Sequence, residues 1–184
     1  MSRPESSTAP AEQSPSAPLS AAPRGVALIG FMGAGKSTVG AILAPLVGLP
    51  LIDLDARVEQ ETGSSVASLF AERGEAGFRA VESEALYATL REGPCVLACG
   101  GGAPIQPGAM EALTAWGLVV WLHAPIEVLQ ARVGAGQGRP LWGPGVKALA
   151  AARAPRYAEA QLTLDATLPP EALARAILAT LERP

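Results

Sequence analysis

Short runs of apolar residues alternate along this chain with longer segments in which apolar residues recur every three or four positions. Short runs rich in Val, Leu and Ile are typical of buried strands, and the wider spacing is typical of amphipathic helices. The short runs predict strands at Gly25–Ile29, Leu51–Ile52, Cys95–Ala98, Leu118–Leu122 and Gln161–Leu164. The other segments predict helices at Lys36–Val47, Ala56–Glu61, Val66–Arg73, Glu75–Leu90, Pro107–Ala115, Ile126–Val133, Lys147–Ala158 and Pro170–Leu181.

This alternation of strands and helices indicates an α/β fold. Because parallel strands are joined by crossovers that usually contain a helix, we expect a five-stranded parallel sheet flanked by helices on both faces. One domain would span residues 24–184. Ligands of such sheets bind at the carboxyl ends of the strands, so the residues that follow each strand are the candidates for chemistry.

Residues 1–23 differ from the rest of the chain in composition. They are rich in Ser, Pro and Ala and contain almost no large apolar residue. Such a segment cannot bury enough surface to offset the entropy of ordering, so we expect a disordered tail. It lacks the apolar core of a signal peptide, and its acidic residues are unusual in a transit peptide. We therefore expect a cytoplasmic protein.

Composition narrows the classes of partner. The formal net charge is −3, and 17% of the residues are charged, which argues against nucleic acid or an anionic membrane as the main partner. The two cysteines, Cys95 and Cys99, lie in an apolar run, where cysteine acts as a small hydrophobic residue; metal ligation by the pair is the alternative. His123, the sole histidine, is expected to be structural.

The first predicted strand is followed by a glycine-rich motif. The stretch GFMGAGKST, residues 30–38, fits the pattern G-x-x-x-x-G-K-[ST] between a strand and a helix. In this context the glycines turn backbone N–H groups inward and form a nest for phosphate oxygens at a helix N-terminus. Lys36 would reach the β- and γ-phosphates of a nucleotide, and the Ser37 hydroxyl would ligate Mg²⁺.

Two aspartates follow the second predicted strand. Asp53 and Asp55 have a structural explanation, since one of them can cap the next helix. The functional alternative places Asp53 near Mg²⁺ and Asp55 on a substrate hydroxyl. The phosphate-binding motif beside them favours this second interpretation.

The long helical region and the third strand add polar and glycine residues. Arg79 and Glu82 are three positions apart, so they can form a local ion pair, or Arg79 can present its guanidinium to a substrate carboxylate. The triplet Gly100–Gly102 ends a strand, either as a flexible turn or because a ligand lies against its backbone.

Residues 134–145 contain five glycines and two prolines and cannot form a regular element. They also contain Arg139 and Trp142, which a simple linker does not need. This pattern favours a mobile lid in which Arg139 meets a transferring phosphoryl group. Arg132 precedes the lid and would contact the nucleotide or act as a helix C-terminal cation. Arg153 lies in a later Arg-x-Pro-x-Tyr stretch, residues 153–157, which we expect to break a helical pattern. Ordinary surface charge would explain its two arginines.

Together these motifs resemble the shikimate kinase family. The resemblance runs from Gly25 to Asp165 and rests on six stretches in order: GFMGAGKST, the pair Asp53 and Asp55, GE-x-x-FR-x-x-E ending in Arg79 and Glu82, the Gly100–Gly102 triplet, Arg139-Pro-Leu141, and Arg153-x-Pro-x-Tyr157. The phosphate-binding motif is shared by many kinases, but the ordered set is specific. The resemblance implies a P-loop kinase fold with a mobile lid, and phosphorylation of shikimate by ATP.

The resemblance also implies roles for individual residues. The ATP phosphates would bind to Gly33, Ala34, Gly35, Lys36, Ser37 and Thr38, with Arg132 and Arg139 as further nucleotide contacts. Mg²⁺ would be held by Ser37 and, through water, by Asp53. Lys36, Asp55 and Arg139 would be catalytic. Shikimate would bind to Asp55, Arg79, Gly101, Gly102 and Arg153, with the two arginines on its carboxylate.

The chain departs from the family pattern at one place that bears on the nucleotide. After Asp165 the sequence Ala-Thr-Leu-Pro-Pro lacks the polar or basic residues that often approach adenine in the family. Two alternative functions remain open. One is a related small-metabolite kinase such as a gluconate kinase, and the other is a shikimate-sensing module without turnover. We expect a monomer whose partners are ATP and shikimate.

Overall fold

The computed structural model describes residues 25–134 and 140–182. Its centre is a sheet of five parallel strands, as the sequence predicts. The strands are β1 (Gly25–Ile29), β2 (Leu51–Asp53), β3 (Val96–Ala98), β4 (Gly117–His123) and β5 (Leu162–Asp165). The helices are α1 (Lys36–Val47), α2 (Leu54–Thr62), α3 (Val66–Glu92), α4 (Ala109–Trp116), α5 (Ile126–Val133), α6 (Val146–Tyr157) and α7 (Pro170–Leu181).

The strand order is β2-β3-β1-β4-β5, with β1 in the middle. The residues Val26, Ala27, Leu28 and Ile29 of β1 are all fully buried. Since successive residues of a strand point to opposite faces, helices must cover both faces of the sheet at its centre. The chain adds β2 and β3 on one side of β1 and then β4 and β5 on the other. The topological switch point of the sheet therefore lies at the carboxyl end of β1, where ligands of such folds bind.

The structure corrects several predicted boundaries. The α2 helix begins at Leu54, two residues early, because the carboxylate of Asp53 accepts hydrogen bonds from the N–H groups of Asp55 and Ala56 and caps it. The break predicted between the two helices on either side of Gly74 is confirmed, because Gly74 has non-helical φ/ψ of 68° and −179°; both helices are included in α3, which is kinked at this residue.

Other differences lie near prolines. The predicted helix Pro107–Ala115 begins only at Ala109, and the short 3₁₀ helix Ala103–Ile105 before it was not predicted. The Arg-x-Pro-x-Tyr stretch does not interrupt α6, which continues through Pro155 to Tyr157. Pro155 cannot donate a hydrogen bond to the carbonyl of Ala151, but it lies in the last turn of α6, so this loss falls near the helix end.

Three predicted structural residues can be compared directly. Cys95 and Cys99 are both buried free thiols that flank β3, as expected for small hydrophobic residues. Burial raises the pKa of Cys95 to about 11 and the pKa of Cys99 further. His123 ends β4 and is exposed, with its ring 4.6 Å from that of Trp121. In the described ranges, no helix is long and apolar enough to span a membrane.

Two predictions concern residues outside the described ranges. The tail at residues 1–23 lies wholly outside them, and so does Arg139 with the central part of the predicted lid. Of the predicted lid, residue 134 and residues 140–145 are described, and they form turns and bends. The indole N–H of Trp142 donates to the carbonyl of Gly134 at 3.2 Å, and its ring centroid lies 6.5 Å from that of Phe31.

Candidate active site

A cleft of about 700 Å³ opens at the carboxyl edge of the sheet. The predicted site residues in the described ranges all line it. They come from the loop after β1 and the start of α1, the end of β2 and the start of α2, the loop after β3, and helices α3, α5 and α6. These are Gly33, Ala34, Gly35, Lys36, Ser37, Thr38, Asp53, Asp55, Arg79, Gly101, Gly102, Arg132 and Arg153. The fold therefore gathers residues from position 33 to position 153 of the chain into one cavity.

The loop between β1 and α1 has the backbone geometry of a phosphate nest. Gly33 and Gly35 have φ values of 82° and 90°, which side chains other than glycine rarely allow. Gly35 directly precedes α1, so the N-terminus of that helix points its N–H groups into the cleft. The Lys36 ammonium donates to the carbonyls of Gly30 and Phe31 at 2.9 and 3.2 Å. It thus lies against the same loop that would surround a phosphate.

Ser37 and Asp53 form the junction between α1 and β2. The Ser37 hydroxyl donates to Asp53 Oδ2 at 2.5 Å, while Asp53 Oδ1 caps α2. Asp53 therefore caps α2 with one carboxylate oxygen, while its second oxygen faces Ser37 at the end of the phosphate loop. A hydroxyl and a carboxylate oxygen side by side are the hard oxygen ligands that Mg²⁺ prefers.

Asp55 and Glu82 face each other across Gly100. A Cβ atom on Gly100 would clash with both Asp55 Oδ1 and Glu82 Oε1, so a glycine at this position keeps the two carboxylates in place. Glu82 is 1% exposed, and in the described part of the chain its Oε1 has no hydrogen-bond partner. Burial raises the pKa of Glu82, the nearby Asp55 carboxylate raises it further, and Arg79 opposes this shift.

Arg79 is held by its own helix and by aromatic rings. Its guanidinium donates to Glu82 at 2.6 Å and to Glu75 at 3.2 Å, so the predicted ion pair exists. The guanidinium carbon also lies 5.2 Å from the ring centroid of Phe78. A Cβ atom on Gly102 would overlap the guanidinium, so Arg79 lies directly against the glycine triplet. Pairing with Glu82 fixes the orientation of Arg79 in the cleft and does not remove it from the cleft.

Arg153 approaches the same triplet from α6. It is 6% exposed, and its guanidinium carbon lies 5.8 Å from the ring centroid of Phe31. Tyr157, one helical turn later, donates its hydroxyl hydrogen to the carbonyl of Gly101. Burial raises the pKa of Tyr157 to about 12, while the neighbouring Arg153 opposes the shift. Tyr157 ties α6 to the glycine triplet and so fixes where Arg153 enters the cleft.

Arg132 lies at the opposite end of the cleft from Asp55. It is in the last turn of α5, where a helix C-terminal cation is favourable. Its guanidinium donates to the carbonyl of Ala166 at 2.7 Å and approaches the carbonyl of Gly33 at 3.5 Å. Both explanations of Arg132 from sequence therefore fit its position, since it is a C-terminal cation that also borders the phosphate loop.

Three contributors to the site were not in the predicted set: Glu82, Gly100 and Tyr157. All three stood in motifs that the sequence singled out, but the contacts of Glu82 and Gly100 depend on the packing of α3 against the end of β3. The spacing of Arg153 and Tyr157, four residues apart on one helix, was a signal that the two would act from the same face.

Comparison with known proteins gives the relationship of this chain. A family model for shikimate kinase matches residues 32–182. A shikimate kinase of Rhizobium meliloti (strain 1021) is 39% identical over 164 residues, which is 86% of this chain and 85% of the relative.

Solved structures distinguish shikimate kinases from more distant proteins that share only the fold. A shikimate kinase of Acinetobacter baumannii, solved in complex with shikimate, is 35% identical with a TM-score of 0.82 over 86% of this chain and 92% of that one. A gluconokinase from Sinorhizobium meliloti 1021 matches 86% of this chain and 91% of its own with a TM-score of 0.55, but at 22% identity it shares the fold alone. The extent and the identity of these matches together show that this chain belongs to the shikimate kinase family.

Proposed function

We propose that this protein transfers the γ-phosphoryl group of ATP to a hydroxyl of shikimate, giving ADP and shikimate 3-phosphate. The observation that carries the proposal is one cleft with a phosphate nest in the middle and, on one side of it, a carboxylate and two arginines. Membership in the shikimate kinase family supports the choice of acceptor. No described feature favours gluconate over shikimate or a sensing module over an enzyme.

The phosphate nest would hold the nucleotide. The N–H groups of Gly33 to Thr38 bind the phosphate oxygens, and the helix dipole of α1 favours their negative charge. Lys36 leaves the carbonyls of Gly30 and Phe31 and moves to the γ-phosphate, where it neutralises the charge that spreads over the oxygens during transfer. Arg132 borders the nucleotide, and Arg139 supplies a further cation to the transferring group.

Arg79 and Arg153 would grip the carboxylate of shikimate. Both guanidiniums lie against the glycine triplet, where the backbone of Gly101 and Gly102 can approach the ring without a side chain between them. A buried cation such as Arg153 favours an anionic partner, because the low local dielectric strengthens the attraction. Glu82 positions Arg79 through the ion pair between them.

Asp55 would orient the hydroxyl that attacks. Phosphoryl transfer passes through a loose transition state that needs little help from a base, so a carboxylate that accepts the hydroxyl hydrogen bond is sufficient. Arg79 and Arg153, which hold the carboxylate at the far side of the ring, keep the attacking hydroxyl in line with the γ-phosphate. Much of the acceleration then comes from this alignment and from charge neutralisation.

Mg²⁺ fits the pair formed by Ser37 and Asp53. The Ser37 hydroxyl would ligate the ion and Asp53 would hold one of its waters. Mg²⁺ is usually bound by one or two protein oxygens together with substrate phosphates, and residues 25–134 and 140–182 contain no cluster of three or more His, Cys, Asp or Glu that would cage an ion. When bound, it would neutralise part of the charge of the nucleotide phosphates.

Replacing Ser37 with alanine tests this assignment. We expect the Mg²⁺ concentration for half-maximal activity to rise about tenfold or more, because one direct ligand is lost. The KM for shikimate should change little, since Ser37 is not among the residues proposed to bind shikimate. Ser37→Thr, which retains a hydroxyl, should restore most of the lost Mg²⁺ affinity. An unchanged Mg²⁺ dependence in Ser37→Ala would refute the ligand role.

We also propose a cytoplasmic monomer without nucleic-acid partners. The exposed large apolar residues in the described ranges are three single leucines on different segments: Leu46 in α1, Leu51 in β2 and Leu168 in the turn before α7. Scattered apolar residues of this kind do not require a partner subunit.

An activity assay tests the proposed function. Purified protein is incubated with ATP and Mg²⁺ and with either shikimate or gluconate, and ADP release is followed with a coupled assay. We expect turnover with shikimate and little with gluconate, which has no ring to lie on the glycine triplet. Faster turnover with gluconate would overturn the choice of acceptor. Binding of shikimate without any turnover would favour the sensing module.

A further inference from the structure

The two arginines proposed to bind the shikimate carboxylate are held in different ways. Arg79 forms ion pairs with Glu75 and Glu82 on its own helix. Arg153 is buried, and within the described ranges it forms no ion pair. Its guanidinium carbon lies instead 5.8 Å from the ring centroid of Phe31. Because the face of a ring attracts a cation without fixing the direction of its N–H groups, that direction has to be set by another neighbour.

Tyr157 is placed to be that neighbour. It follows Arg153 by one turn of α6, and a Cβ atom on Gly101 would lie 3.5 Å from Nη1 of Arg153 and 3.7 Å from the Tyr157 hydroxyl oxygen. The hydroxyl donates its hydrogen to the carbonyl of Gly101, and its oxygen can accept a hydrogen bond from the guanidinium at the same time. Since burial raises the pKa of Tyr157 to about 12, the hydroxyl stays protonated and remains a donor near neutral pH.

The hydrogen bond from Tyr157 also fixes the peptide that joins Gly101 to Gly102. In a planar trans peptide the C=O and N–H groups point in opposite directions, so a Gly101 carbonyl held toward Tyr157 directs the Gly102 N–H away from it. Gly102 lines the cleft, and among the described residues no group accepts a hydrogen bond from this N–H. Because a glycine backbone is unusually free to rotate, the peptide needs such a contact to keep one orientation.

We propose that Tyr157 is a positioning residue for the acid: its single hydroxyl orients both the Arg153 guanidinium and the Gly102 N–H toward the carboxylate. The inference rests on the proposed function, which takes the acid to be shikimate. Tyr157 itself does not line the cleft, so it acts through these two groups and not by touching the substrate. Loss of the hydroxyl therefore lowers the affinity for the acid and leaves the phosphate nest unaffected.

Replacing Tyr157 with phenylalanine removes the hydroxyl but keeps the ring, whose centroid lies 6.0 Å from that of Trp121. We expect the Kd for shikimate to rise about tenfold or more, comparable to the loss of a group that orients a metal ligand. The Kd for ATP should change by less than about twofold, because the two sites share no partner of Tyr157. Isothermal titration calorimetry measures both affinities. A rise for shikimate of less than about tenfold, or an equal rise for ATP, overturns the inference.

The chain contains one other tyrosine, which provides a matched control. Tyr87 is half-buried on α3, and its hydroxyl lies beside Gly108, outside the cleft. Tyr87→Phe removes the same atom and should leave the affinities for shikimate and ATP at their wild-type values. Thermal unfolding of both variants checks that each is folded. An equal loss of shikimate affinity in Tyr87→Phe would contradict the inference, because the effect would then not depend on the contact with Gly101.

A second measurement separates positioning of the acid from support of the fold. The neutral carboxamide of shikimate keeps the ring and hydroxyls but presents no charge to Arg153. We expect the ratio of kcat/KM for shikimate to kcat/KM for the carboxamide to fall about tenfold in Tyr157→Phe, because an anion depends most on the oriented cation. An unchanged ratio overturns the inference, and partial unfolding of the variant does not alter it.

The wild-type protein distinguishes failure of this inference from failure of the proposed function. If the wild type does not phosphorylate shikimate, the proposed function is wrong and the inference falls with it. If the wild type phosphorylates shikimate and Tyr157→Phe binds it equally well, only the inference is wrong.

Discussion

Replacing Lys36 with alanine should lower kcat by about 10²–10³-fold, the usual cost of losing one group that stabilises transition-state charge. The ammonium lies at the phosphate nest, where it donates to the loop carbonyls of Gly30 and Phe31. We therefore expect Lys36 to stabilise the negative charge that redistributes over the γ-phosphate as the phosphoryl group leaves. Binding of shikimate should change little, because the acid site lies on Arg79 and Arg153.

The chain contains one other lysine, which provides a matched control. Lys147 is exposed and pairs with Glu127 at 3.0 Å, outside the cleft. Lys147→Ala should therefore leave kcat near the wild-type value. Thermal unfolding of both variants checks that the fold is retained. A Lys36→Ala variant with a kcat close to wild type would contradict the phosphate role assigned to this loop.

Replacing Arg79 with alanine should weaken shikimate binding by about 2–4 kcal/mol, the range for a lost charge-assisted contact in a partly buried site. That range corresponds to about a 30–1,000-fold rise in Kd. Binding of ATP should remain nearly unchanged, because Arg79 lies on the opposite side of the nest from Arg132. Isothermal titration calorimetry with each ligand separates the two affinities.

The substitution of Arg79 also affects Glu82, the buried carboxylate with which Arg79 forms an ion pair. Arg79→Ala leaves Glu82 buried without its cation, so the free energy of unfolding should fall as well. The double variant Arg79→Ala/Glu82→Gln removes the uncompensated charge and should recover much of that stability, but it should not recover shikimate affinity. If affinity returned with stability, Arg79 would act only by supporting the fold.

Arg156→Ala is the matched control for this experiment. Arg156 also pairs with two carboxylates, Glu111 and Glu159, but its ion pairs lie on the surface outside the cleft. Its loss should leave the affinities for shikimate and ATP unchanged. If Arg79→Ala weakened the binding of shikimate and of ATP equally, the assignment of Arg79 to the shikimate carboxylate would be wrong.

The parts of this molecule that depend on local sequence were predictable. The phosphate nest is one continuous stretch, and the glycines that form it also set the start of α1. The alternation of strands and helices likewise predicted the parallel sheet, because a crossover helix leaves few other arrangements. Boundaries were less certain, since a cap such as Asp53 or a proline such as Pro107 can move a helix end by two residues.

Contacts between distant segments could not be predicted in the same way. Gly100 keeps Asp55 and Glu82 in place, and Tyr157 binds the carbonyl of Gly101, but neither partner is near in the sequence. For Asp53 and Arg79, the sequence left a structural and a functional explanation as alternatives, whereas in the structure each residue makes a structural contact and also lines the cleft. Asp53 caps a helix with one oxygen and contacts Ser37 with the other, and Arg79 forms its ion pair while it lines the cleft.

The most direct test of the central claim is a crystal structure with shikimate and a non-hydrolysable ATP analogue bound together. The account predicts that the shikimate carboxylate lies between Arg79 and Arg153 and that one ring hydroxyl lies between Asp55 and the γ-phosphate. The triphosphate should lie over Gly33 to Thr38. A structure with shikimate bound away from Asp55 and both arginines would contradict the account.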